Sequence, residues 1–108
     1  MNMVSADRRQ GWSVNLEDRP AALEITLQKR TYVLPWNQFL YAEGGNDEVR
    51  ALFATHEVNV RGTGLTVLLA DLAAQNVTGV EELSRPDRFQ TEAKRLIREV
   101  IVQKAEAS

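Results

Sequence analysis

Between Glu48 and Gln75 the spacing of apolar residues changes once, from every second position to every third or fourth. No other stretch limits the possible fold as much. Val49, Ala51 and Phe53 alternate with Arg50 and Leu52, and Val58 and Val60 alternate with Glu57, Asn59 and Arg61. Alternation puts one face of a strand on a core and leaves the other wet, so Ala54-Thr55-His56 reads as the reversal of an antiparallel hairpin. After Gly62-Thr63-Gly64, the residues Leu65, Leu68, Leu69, Leu72 and Ala73 fall at helical spacing. The pattern predicts one amphipathic helix over residues 64–75. Thr63 would be its N-cap, and Asn76 the left-handed residue that ends it.

The rest of the chain is dominated by short runs of period two. Trp12, Val14 and Leu16 form one such run, and Leu23, Ile25 and Leu27 form another, with Glu17-Asp18-Arg19-Pro20 turning between them. Lys29-Arg30 leads into Thr31–Leu34, and Pro35 interrupts the chain there. Trp36 to Glu43 is apolar and aromatic, and it closes on Gly44-Gly45-Asn46-Asp47, whose residues suit a hairpin connection. A helix from Pro35 to Ala42 competes with a strand there, and the adjoining turn favours the strand. On a regular strand Phe39 and Tyr41 share one face and Leu40 takes the other. Val77, Val80 and Leu83 predict a short returning strand. In the C-terminal third Phe89, Ala93, Leu96, Ile97 and Val100 fit one face of a helix, while Val100-Ile101-Val102 is a β-branched run that favours a strand. A helix over 87–94 followed by a strand over 97–103 is the preferred of the two readings. The expected architecture is a single small α+β domain over residues 11–104. Its mostly antiparallel, bent sheet of five to seven strands is packed by the one main helix, with room for a second helix near the C-terminus. Residues 1–10 and 105–108 are expected to be flexible.

Composition narrows the functional classes. A chain of 108 residues, 44% apolar and 26% charged, is the size and make-up of one globular domain. Thirteen basic and fifteen acidic residues leave a formal net charge of −2, which exerts no general pull toward nucleic acid or an anionic membrane. With no cysteine, disulfides, thiolate metal sites and cysteine nucleophiles are excluded. No run approaches the ~18 apolar residues of a membrane helix, and the N-terminus lacks the apolar stretch of a signal peptide. A cytoplasmic protein without a cofactor is the expectation.

The pattern Thr55-x-x-Val58-x-Val60-x-Gly62-x-x-Leu65-x-x-Leu68 resembles that of small bacterial domains of the YabP-like sporulation type, which are similar to pleckstrin-homology-like folds. The resemblance covers residues 49–80 and implies a bent antiparallel sheet packed by one helix. In that family the chain continues from strand to strand after the glycine, whereas Leu65 to Gln75 here is helical in pattern. The resemblance carries over no functional residue.

Four groups of residues are candidates for chemistry or binding. His56, the only histidine, is a general base or metal ligand in one reading and a solvated turn residue in the other. Gly62, Thr63 and Gly64 precede a helix and so resemble an anion-cradling corner, but they lack the spacing of a P-loop or a dinucleotide fingerprint. The aromatics Tyr32, Trp36, Phe39 and Tyr41 form either a binding surface or simply core. With Lys29 and Arg30, Tyr32 and Trp36 would make a contact set for a single-stranded nucleic acid. Arg85, Arg88, Lys94, Arg95 and Arg98 are interleaved with Asp87, Glu92 and Glu99, a pattern of solvated salt-bridged surface. The favoured reading is a non-enzymatic binding or scaffolding domain. It would be a homo-oligomer, most simply a dimer, joined through an exposed strand edge or the aromatic strand.

Overall fold

Pro35 cannot donate to a strand ladder, and the next residue, Trp36, carries a large ring that has to be buried. The chain meets both demands with a 3₁₀ turn at Trp36–Gln38, and at this turn it crosses from one sheet to the other. The computed structural model describes residues 11–82 and 96–105. The expected helix over 87–94, the basic cluster apart from Arg98, and the expected flexible segments apart from Ala105 lie outside them.

The first sheet contains β1 (Trp12–Val14), β2 (Ala22–Thr26), β3 (Thr31–Pro35) and β7 (Val77–Glu81) in the order β1-β7-β2-β3. The second contains β4 (Phe39–Gly44), β5 (Glu48–Phe53), β6 (His56–Thr63) and β8 (Leu96–Lys104) in the order β4-β5-β6-β8. The expectation of a small, mostly antiparallel α+β fold with one helix therefore holds, and only β2 and β7 run parallel. The single bent sheet of five to seven strands is replaced, among the described residues, by two sheets of four. The reason is partner choice. The early strands β1 and β2 do not pair with each other, and β7 inserts between them from far along the chain.

Register sorts the side chains. Across the second sheet, Ala42, Ala51, Val58 and Val102 form one inward row, and Gly44, Val49, Val60 and Val100 form the next. In the first sheet Trp12, Val80, Ile25 and Tyr32 align on the core side. Both sheets contribute to one continuous apolar cluster, together with Leu65, Leu68 and Leu72.

The helix α1 (Thr66–Ala73) lies against β4 and β5, where the paired Ala42 and Ala51 are short enough to let a helix approach. Its ends differ from expectation. Thr63 belongs to β6 and pairs with Leu96, and the N-cap position falls on Leu65 with no side-chain cap. At the other end Gln75, with φ 58°, takes the left-handed conformation expected of Asn76. Asn76 N–H donates to the Asp71 carbonyl and Gln75 N–H to that of Leu72, the paired bonds of a Schellman motif. The position of that motif is set by where the last apolar turn ends, and a tolerant side chain one residue later does not move it.

Gly62 is demanded by packing. A Cβ there would lie 2.0 Å from the Leu96 carbonyl oxygen, at the bulge where β6 and β8 slip register. Gly45 has open space around its Cβ position. Gly62→Ala should therefore lower unfolding free energy by about 1–3 kcal/mol. Gly45→Ala should stay within about 0.5 kcal/mol. Urea denaturation of the two variants beside the wild type is the check, and equal midpoints would contradict the close approach.

Candidate contact surface

The four aromatics expected to form one surface are divided among three places. Trp36 is buried, and its ring stands 5.1 Å from Phe39 and 5.5 Å from Phe53 between centroids. Its Nε1–H donates to the Val77 carbonyl at 3.1 Å. Phe39 faces inward opposite Phe53. Trp36 and Phe39 are thus core, and Trp36 offers no face on which a base could stack. Tyr32 is half-buried on β3 at the seam with the second sheet. Tyr41 is exposed on the outer face of β4.

The separation of Phe39 from Tyr41 corrects the regular-strand expectation. Phe39 pairs with Phe53 but Tyr41 pairs with Leu52, so Leu40 is the extra residue of a β-bulge. The bulge flips the alternation. Phe39 and Ala42 pack on the core, while Leu40 and Tyr41 are both open to solvent, at 61% and 47% exposure. Of the five large apolar side chains exposed among the described residues, three are on this sheet: Leu40, Tyr41 and Ile101. Leu52, half-buried, lies opposite Tyr41.

Between these apolar margins runs a lattice of charges, built by register. Glu43, Arg50, Asn59 and Ile101 form one row across the four strands. Tyr41, Leu52, Glu57 and Gln103 form the next row on the same face. Arg50 Nη1 donates to Glu43 at 3.1 Å and Nη2 to Glu57 at 3.1 Å. Its Nε sits 3.0 Å from the other Glu57 oxygen, in charge contact but without hydrogen-bond alignment. Asn59 donates to that same oxygen at 2.9 Å. The bond from Arg50, helped by Asn59, holds the Glu57 carboxyl below its ordinary value, and the Glu57 bond raises the already high value of Arg50. Arg61 makes looser contacts, 3.9 Å each, with Glu48 and Glu99. Leu40, Arg50, Leu52, Ala54, Glu57 and Lys104 border a shallow groove at the Tyr41 end of this face.

Two other expected sites come apart. His56 begins β6 and Gly62-Thr63-Gly64 ends it, so about 23 Å of strand separates them. The glycine corner also has little to offer an anion. Gly62 N–H donates to the Asp47 carbonyl and Leu65 N–H to that of Asn46. Glu57 faces the outer side in the grip of Arg50, and so it does not orient His56. The imidazole Nδ1 instead lies 2.9 Å from Thr55 Oγ1, and the ring meets Tyr32 edge-on with centroids 5.5 Å apart. Among the described residues no three His, Asp or Glu side chains converge as a metal would require. No helix among them is long and apolar enough to cross a membrane.

Sequence reasoning singled out Tyr41 but missed Leu40 and Ile101 as its companions, and it missed the Arg50–Glu57 lattice. The alternation over 49–61 already placed Arg50, Glu57, Asn59 and Arg61 on one face, which was the available signal.

Because Glu57 titrates lower in the folded chain, its contribution to stability is complete above about pH 4.5, its ordinary value, and is lost as pH falls through the folded value. Glu57→Gln should therefore flatten the acid side of a melting-temperature profile between pH 6 and 3. An unchanged slope would show that the lattice does not couple to folding. Comparison with known proteins found no family model, no curated protein and no solved structure that matches this chain.

Proposed function

We propose that this chain is a non-enzymatic binding module that self-associates, most simply as a dimer, through the outer face of the β4-β5-β6-β8 sheet. The observation that carries the reading is the joint exposure of Leu40, Tyr41 and Ile101 on one face. Water-exposed apolar area of this kind is stabilised by being covered, at roughly 25 cal/mol per Å². The ion pairs between the margins favour a defined register over general stickiness, because a misplaced copy would bring like charges together.

The face is preferred over the edges for a physical reason. The edge strand β4 carries the Leu40 bulge, which disturbs the backbone groups that another strand would need. On β8 the Val100 N–H already points at Glu82 Oε2, 3.4 Å away. The absence of cysteine suits a reducing compartment, and the proposed location is the cytoplasm.

Light scattering over a dilution series tests the reading. The wild type should have dimer mass at high micromolar concentration, and a double variant Leu40→Asp with Tyr41→Asp should dissociate at least about tenfold more readily. A wild type that is monomeric throughout would overturn self-association.

A further inference from the structure

Two candidates that are distant in sequence, Tyr32 with Arg30 and the lone His56, are brought together at one end of the shared core. His56 has the same strand parity as Val58 and Val60, so it projects to the inner side of its sheet, where it meets the Tyr32 ring from the other sheet. Lys104 is the register partner of His56 on β8. Directly opposite residues of an antiparallel pair start on the same face, so Lys104 leaves the strand beside His56, at the end of the groove that it also borders. The Arg30 guanidinium carbon lies 5.9 Å from the Tyr32 ring centroid, and its Nη1 is 3.5 Å from the Tyr32 hydroxyl. Thr55 adds a second hydroxyl, 2.9 Å from His56 Nδ1.

Among the described residues the charges here lack carboxylate partners. Arg50 and Arg61 are paired with carboxylates, whereas Arg30 and Lys104 form no ion pair among the described residues. The acid next to His56 in sequence, Glu57, is committed to Arg50 on the opposite face. Glu82 is held at the Val100 amide, four residues along β8 and so about 13 Å from Lys104. In a chain whose formal net charge is −2, this end therefore gathers two cations, an imidazole and two hydroxyls. Several donors around uncompensated positive charge are what an oxyanion requires, since charge-assisted hydrogen bonds are the strong ones.

We propose that Arg30, Tyr32, His56 and Lys104 form a binding site for a phosphate-type oxyanion. The two cations supply the attraction. The Tyr32 hydroxyl and the His56 Nε2–H supply neutral donors, the ring being held in that tautomer by Thr55 donating to Nδ1. The contact between the rings of Tyr32 and His56 holds the two sheets in register around the ligand. The site adjoins the self-association face, because Lys104 also borders the groove at its Tyr41 end.

The single histidine makes the test direct, because its ring protons give one set of NMR resonances. Those resonances should move saturably as inorganic phosphate is added, and should not do so in chloride of matched ionic strength. Arg30→Gln and Lys104→Gln each replace an exposed side chain, so the fold is kept, and each should weaken binding about tenfold. Adenosine monophosphate serves as the second arm. Tighter binding than phosphate would identify an organic phosphate as the ligand, and equal binding would identify phosphate itself. A response that is linear, or matched by chloride, or unchanged in both variants, would overturn the site. The variant Ile101→Ser, on the self-association face but outside the groove that Lys104 borders, should bind phosphate as the wild type does, which separates this outcome from the fate of the dimer.

Discussion

Trp36 carries the join between the two sheets. Its ring is packed against Phe39 and Phe53 of the second sheet, while its Nε1–H reaches the Val77 carbonyl in the first. Its backbone N–H donates to the Ala21 carbonyl beside β2. A buried indole N–H without an acceptor costs about as much as a lost hydrogen bond, so the ring can be buried only where β7 presents that carbonyl. The position of β7 between β1 and β2 is thus tied to the burial of one side chain at the chain's sharpest break. Trp12 repeats the device on a smaller scale, with its Nε1–H on Asp71 linking β1 to α1 at 2.9 Å.

Much of this was legible in the residues, and the illegible part has a common cause. The hairpin of β5 and β6 and the helix after it come from period alone, because both are local patterns with one buried face. The strand of β8 was readable from its β-branched run. Pairing was not. Nothing in Val77–Glu81 says that it runs parallel to β2 and antiparallel to β1, since that choice is made by the acceptor for Trp36 and by the apolar row Trp12, Val80, Ile25. The Leu40 bulge was hidden for a related reason. An alternating strand and a bulged one differ by a single backbone step, and here it is the burial of Phe39 and Ala42 together that decides between them.

The candidate surfaces illustrate how topology redistributes residues that the sequence groups together. Tyr32, Trp36, Phe39 and Tyr41 are neighbours along the chain, yet the 3₁₀ turn and the bulge send them to a seam, the core and an outer face. Arg50, Glu57 and Glu43 are scattered along the chain, yet two hairpins align them into one lattice. Arg50 spends its donors within its own sheet, so what this face leaves unpaired is chiefly its apolar margins. At the seam, Arg30 and Lys104 form no ion pair among the described residues.

The strand order also has a temporal side. On a ribosome β1 and β2 emerge first, but neither sheet can be closed by the length of chain made at that point. The first sheet has a vacancy in its middle until Val77–Glu81 appears, and β6 remains an open edge until Leu96–Lys104 arrives. Loop closure over such separations is slow compared with hairpin formation. The β2–β3 hairpin and the β4-β5-β6 meander, both short-range, are the pieces able to form early. The inner row of the meander, Ala42, Ala51 and Val58, then has to wait for the helix and the last strand, so the nascent chain shows its future core to the cell until Leu96–Lys104 arrives.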